Sequence, residues 1–235
     1  MLPLKDHNPR KITPWLTYSF IGLCVAVFAW EMTLSSSALH KAFMSYSVVP
    51  DLLMGDLVST ESVLDLIRSM FFHGGMAHIG GNMLYLYIFG DNVEERFGRL
   101  GFIFLYFSGG FAASFAQVAT DPESQIPLVG ASGAIAAVLG AYLVFYPKIK
   151  VRGLVMLGRM GSMQEWPAFA VLGLWFGMQL FSGVGSLGAS GGGVAFFAHV
   201  GGFVWGAVLA AVVRLVWTQP TREDSYRAVY GLRGR

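Results

Sequence analysis

The chain has 235 residues, of which 54% are hydrophobic and only 13% charged, and its mean hydropathy is +0.57. A soluble domain carries about a quarter of its residues as charges, so a water-soluble globule is excluded and a lipid bilayer is the expected solvent. The formal net charge of +2 is small, and no nucleic-acid partner is expected.

A transmembrane helix needs roughly 20 predominantly apolar residues. Six windows meet or approach that length, near Leu16–Met32, Ala77–Glu95, Phe102–Thr120, Ala131–Tyr146, Trp166–Gly183 and Val194–Trp217. The first is too long, and its flanks too aromatic, for a cleaved signal peptide, and no small-residue cleavage site follows it; it is expected to be retained. Basic residues fall into alternate connections. Lys5, Arg10 and Lys11 precede the first window, and Arg96 and Arg99 separate the second from the third. Lys148, Lys150, Arg152 and Arg159 separate the fourth from the fifth, while Arg214, Arg222, Arg227, Arg233 and Arg235 close the chain. Only Lys41 and Arg68 remain for the other side. The positive-inside rule then puts both termini in the cytoplasm, as an even number of spans requires.

The expected fold class is all-α. A cytoplasmic segment (1–14) leads into one six-helix membrane domain (15–217) with a large outer loop at about 34–76, and a basic cytoplasmic tail follows (218–235). Cys24, the single cysteine, lies inside the first window and allows no intramolecular disulfide. In the outer loop, VLDLIRSMFF (63–72) reads equally as an amphipathic helix on the membrane surface and as an ordinary buried helix of the loop.

Ionisable side chains at membrane depth are costly and mark functional hypotheses. His73 and His78 enter the second window, Asn82 lies within it, and His199 opens the sixth, all toward the outer ends of their helices. His78 and Asn82 are four residues apart and share a helical face. A membrane histidine also serves simply as a helix–helix hydrogen-bond donor, and His73 reads as structural, holding the outer loop onto the second helix. Metal binding is not expected, because there is no HExxH and no Cys or carboxylate ligand beside the histidines. No cofactor is implied.

The tetrapeptide GASG occurs at 130–133 and again at 188–191, presenting Ser132 and Ser190 between small residues. Ser132 opens the fourth window after DPESQIPL, whose two prolines interrupt any helix. From there to Pro147 the helix measures about 24 Å at 1.5 Å per residue, less than the roughly 30 Å of hydrocarbon. Ser132 is therefore expected below the outer surface, at a helix N-terminus with free N–H groups and a positive dipole end. A hydroxyl needs a base to become a nucleophile, and histidine is the usual one. Gly202, Gly206 and Ala210 after His199, and Gly133, Ala137 and Ala141 after Ser132, form matching small-residue ridges. Packing these ridges would bring Ser132 and His199 together, with His78 and Asn82 left as donors for an oxyanion. Ser190 is followed by three glycines and reads as part of a connection, either a cap that moves when substrate enters or a plain flexible link.

This constellation resembles the rhomboid family of intramembrane serine proteases. HGGMAHIGGN (73–82), VEERFG (93–98), GASG (130–133) and AHVGGFVWG (198–206) occur in family order on the expected helices, and the likeness runs from about residue 14 to 217. The resemblance implies Ser132 as nucleophile and His199 as general base in a dyad. It implies Asn82 and His78 as oxyanion donors beside the Ser132 N–H, and His73 and Glu94 as structural hydrogen-bonders. Two positions depart from the pattern. Leu64 and Asp65 stand where many members have a Trp-Arg pair that anchors the outer loop. Ala136 stands where some members stack an aromatic ring on the histidine.

The expected function is an intramembrane endopeptidase of the bacterial six-helix form. Its partners are the bilayer and transmembrane protein substrates, cut near the outer face through an acyl-enzyme, with a small residue before the cut as in the family. The compact form without a targeting extension suggests a bacterial cytoplasmic membrane. The rival reading is a non-catalytic membrane-protein binder of the same fold. A transporter is disfavoured by the lack of an inverted repeat or intramembrane carboxylate pathway.

Overall fold

Long runs of Leu, Phe, Val and Ala without internal proline favour helix, and proline- and glycine-bearing connections separate them. The computed structural model describes residues 1–57, 59–157, 160–187 and 194–216. In chain order it contains β1 (Leu2–Asp6), α1 (Trp15–Glu31), α2 (Ser36–Tyr46), α3 (Pro50–Gly55), α4 (Thr60–Arg68) and a 3-10 turn (Ser69–Phe71). There follow α5 (Met76–Val118), α6 (Ser132–Phe145), β2 (Lys150–Leu157), β3 (Met160–Pro167), α7 (Ala168–Ser186) and α8 (Phe196–Val216). The α5 backbone leaves helical geometry at Gly98 (φ 71°, ψ 170°), a left-handed value that glycine adopts without a Cβ clash. The break splits α5 into two arms, matching the second and third apolar windows.

By length and composition α5, α7 and α8 can each cross a membrane, and α1 and α6 are shorter apolar helices. The surface is inverted relative to a soluble protein. Leu100, Phe181 and Leu215 are each more than 80% exposed, whereas α6 is buried continuously from Gly133 to Tyr142. Helix α6 is the central post, flanked by α5 and α8. Helix α7 is the outermost wall, burying only Ala168, Val171, Leu172 and Gly183.

The fold is mainly helical, but the expectation of an all-α chain omitted a three-stranded antiparallel sheet of order β1-β2-β3. Residues 1–14 are not a free segment: Leu2 pairs with Leu154 and Asp6 with Val151. Trp166, expected to open a span, lies in β3 opposite Val151. The sheet closes the end of the bundle opposite Ser132. There Asp6 accepts hydrogen bonds from the Tyr142 hydroxyl (2.6 Å) and Asn92 Nδ2 (3.3 Å), and Arg10 pairs with Asp91 at 3.3 Å. Glu94, fully buried, accepts from Leu16 N (3.1 Å), Thr17 N (2.8 Å) and Thr17 Oγ1 (2.8 Å). A carboxylate thus satisfies first-turn donors of α1 where the dipole favours negative charge, which is the structural role expected of it.

In the connection between α1 and α5, Leu66 of α4 is buried against Val48, Leu53 and Val118, so the α4 face of VLDLIRSMFF packs as a helix of the loop. Its anchoring differs from a Trp-Arg pair. Arg68 bridges Asp65 (3.2 Å) and Glu61 (3.1 Å), and its guanidinium lies 5.5 Å from the Tyr46 ring centroid. His73 N donates to Glu31 Oε1 at 3.0 Å, and its Nδ1 lies 3.1 Å from Phe71 O. The residue ties the C-terminal end of α1 to the entrance of α5.

Candidate active site

Three close approaches place the site. A Cβ added to Gly202 would overlap the Gly133 carbonyl, one added to Gly206 the Ala137 carbonyl, and one added to Gly140 the Phe203 carbonyl. Helices α6 and α8 therefore touch backbone to backbone along the small-residue ridges expected from sequence. At the far end Arg214 Nη1 donates to Val144 O at 3.2 Å. At the near end Gln117 Oε1 accepts from Phe197 N (3.1 Å) and Ala198 N (3.3 Å), capping the first turn of α8. His199 follows directly.

This packing sets Ser132 Oγ 2.8 Å from His199 Nε2. The chain enters α6 through Gly130, whose φ is +132° and whose N–H donates to Ser69 O at 2.9 Å. A Cβ there would stand 2.8 Å from His78 Nε2, so both conformation and space demand glycine. Leu128 N–H donates to Val48 O at 2.7 Å, which fastens the strand before Ser132 to the outer loop.

A cavity of about 660 Å³ opens over the pair, bounded by α5, α6, α7 and the start of α8, with His78, Asn82, Tyr85 and Trp175 in its wall. Gly74 N–H donates to His78 Nδ1 at 3.3 Å. In a neutral ring that bond leaves the proton on Nε2, the nitrogen closest to Gly130. Asn82 is 8% exposed, and its Nδ2 is buried without a hydrogen-bond partner among the described residues. Buried polar groups are nearly always paired, so the Asn82 amide, in the wall of this cavity, keeps unused donor capacity. Ser132, His199, His78 and Asn82 are thus brought together around one space. Ser190 lies outside the described residues. A second cavity, about 710 Å³, lies at the sheet end among Asp6, His7, Arg10 and Asp91 and has no comparable nucleophile–base pair among the described residues.

Two contacts of His199 escaped the sequence reading. Position 136 is alanine, yet the imidazole is not bare: the Trp175 ring lies 5.9 Å from it, centroid to centroid, tilted by 37°. Gln179 Oε1 lies 2.7 Å from His199 Nδ1. Both come from α7, four residues apart and on one face. That i,i+4 polar–aromatic pair was the available signal, but sequence does not say which way α7 is turned.

A family model described as the Rhomboid domain matches residues 60–215. The chain is 28% identical over 198 residues to Rhomboid protein 1, mitochondrial, of Saccharomyces cerevisiae, covering 82% of this chain and 51% of that protein. It is 29% identical over 207 residues to Presenilin-associated rhomboid-like protein A, mitochondrial, of Danio rerio, covering 85% and 50% respectively. It is also 29% identical over 150 residues to Rhomboid protease GluP of Bacillus subtilis, covering 60% and 28%. The chain thus spans about half the length, or less, of these relatives. With a matched domain over most of its length and apolar helices packed around a buried post, this multi-pass membrane protein belongs to the rhomboid family.

Proposed function

We propose that the chain is an intramembrane serine endopeptidase that crosses the bilayer six times with both termini on the basic, cytoplasmic side. The reading rests on the 2.8 Å contact between Ser132 Oγ and His199 Nε2 at the foot of a walled cavity. A transmembrane substrate segment enters the cavity laterally and partly unwinds. His199 Nε2 takes the Ser132 proton as Oγ forms a bond to the peptide carbonyl carbon. The oxyanion receives hydrogen bonds from the Ser132 N–H, Asn82 Nδ2 and His78 Nε2, donors that need no reorganisation. As the C–N bond breaks, the imidazolium returns its proton to the departing amine. Water then adds to the acyl carbonyl with His199 again as base; as the C–Oγ bond breaks, the imidazolium returns that proton to Ser132 Oγ and the acid product leaves. The B. subtilis relative is named a rhomboid protease, which supports the same activity here.

The test is labelling of purified protein by a fluorophosphonate, together with cleavage of a transmembrane substrate panel. Wild type should label and cut, and Ser132→Ala and His199→Ala should do neither. Folded wild-type protein that neither labels nor cuts any substrate would overturn the reading in favour of a non-catalytic binder.

A further inference from the structure

We propose that Gln179 is a positioning residue: its amide oxygen holds the Nδ1 proton of His199, so that Nε2 presents a lone pair to Ser132. The inference rests on His199 being the general base, and its first test is independent of that. A neutral imidazole carries one proton on two nitrogens, and the hydrogen bond at one decides the role of the other. An amide oxygen only accepts. At 2.7 Å from Nδ1, Gln179 Oε1 requires the proton there, which makes Nε2 the acceptor for the Ser132 hydroxyl 2.8 Å away.

The same contact gains strength during reaction. When His199 takes the serine proton, the Nδ1–H donor becomes part of a cation, and charge-assisted bonds are roughly twice as strong as neutral ones. Gln179 therefore favours the protonated ring over the neutral one without placing a buried charge in the membrane. Among the described residues no carboxylate, lysine or arginine lines the cavity, and its titratable groups are His78, Tyr85 and His199. Trp175, one turn before Gln179, limits the plane of the imidazole from the side. Helix α7 thus performs what the alanine at 136 does not.

The opposite amide orientation makes a distinct prediction. Gln179 Nε2 would donate to Nδ1, the ring proton would sit on Nε2, and His199 would donate to Ser132 without being able to take its proton. The two arrangements are separable by ¹⁵N NMR of histidine-labelled protein in the inactive Ser132→Ala background, where Gln179 is the remaining hydrogen-bond partner of the ring among the described residues. The expected result is a protonated Nδ1; a proton resident on Nε2 overturns the proposal. That measurement needs no substitution at 179.

Activity gives the second arm. Gln179→Leu should lower kcat by about 10- to 100-fold, by analogy with losing the outer partner that orients a metal-bound histidine, with KM within about twofold. Gln179→Glu should restore most of the rate. It should also move the acidic limb of the kcat/KM profile to higher pH, because a neighbouring carboxylate favours imidazolium. A Gln179→Leu protein with wild-type kcat overturns the positioning role, as does Gln179→Glu with an unmoved limb. If wild type neither labels nor cleaves, the protease reading fails, and the NMR result alone decides what Gln179 does to the ring.

Discussion

Replacing Gly206 by alanine probes whether backbone contact between α6 and α8 sets the chemistry. The new methyl would overlap the Ala137 carbonyl and stand close to the Ala137 carbon atoms, far inside the roughly 3.5 Å at which carbon contacts become favourable. Relief requires the helices to part by on the order of 1 Å, since neither neighbour is the flexible end of a side chain. Overpacking of this kind costs about 1–3 kcal/mol in stability. The larger effect is expected on rate. His199 lies two turns from Gly206 on the same helix, and the Ser132–His199 contact of 2.8 Å has little slack before it ceases to be a hydrogen bond. A misplacement of about 1 Å costs on the order of 100-fold. The assay is the rate of fluorophosphonate labelling and kcat on a transmembrane substrate, with a thermal scan in detergent to show that the protein is folded. Gly22→Ala on α1, where an added Cβ meets nothing within 4 Å, is the control and should be silent. A folded Gly206→Ala protein with wild-type labelling and kcat would refute the idea that this contact places the serine and histidine.

Asn82→Ala should lower kcat and kcat/KM together by about 100- to 1,000-fold with KM little changed, because its unpaired Nδ2 acts only on the developing oxyanion; a pure KM effect would contradict that role. Glu94→Gln should destabilise the protein by about 2–3 kcal/mol, since it removes a charged acceptor from buried donors, and a thermal scan with an unchanged midpoint would refute it. Burial raises the Asp6 carboxyl to about 6, with the Tyr142 hydrogen bond opposing and the Asp91 charge assisting. The unfolded chain, with an ordinary value near ~3.9, releases this proton first, so stability from Asp6 falls as pH rises between about 4 and 6. Thermal midpoints of wild type should therefore gain on acidification from pH 7 toward 5 relative to Asp6→Asn, and coincident pH curves would contradict it.

The meeting of Ser132 and His199 was legible because small residues four apart dictate which helix faces can touch, and Gly202, Gly206, Gly133 and Ala137 share one such period. Glu94 was legible as a polar residue that burial obliges to find partners, and His73 in part, since its Nδ1 is paired while its Nε2 has no partner among the described residues. The sheet was not. Strand β1 is five residues long and contains a proline, and β2 begins with Lys and Arg, which read as a basic connection rather than as a ladder. Its pairing joins positions roughly 150 residues apart, a contact that no local pattern announces. Gln179 was missed for a related reason. A single amide on an apolar helix has no partner in sequence, and its meaning depends on the rotation of α7, which is packed too sparsely for its burial pattern to reveal.

Helix α6 has 14 residues, about 21 Å at 1.5 Å per residue, with Ser132 at one end and Tyr142 fastened to Asp6 of the sheet near the other. On the proposed topology, which puts the sheet at the inner face, the rod would behave as a ruler read from that face. The serine then stands at a fixed height, and the outer surface of the bilayer recedes from it as lipids lengthen. If the chain is the proposed protease and its substrate is anchored at the outer face, the cut should move in thicker bilayers along the substrate toward its inner end, by about one residue for each 1.5 Å if the segment is helical or each 3.3 Å if it is extended. Lipid length, rather than sequence alone, would then help decide which peptide bond is broken.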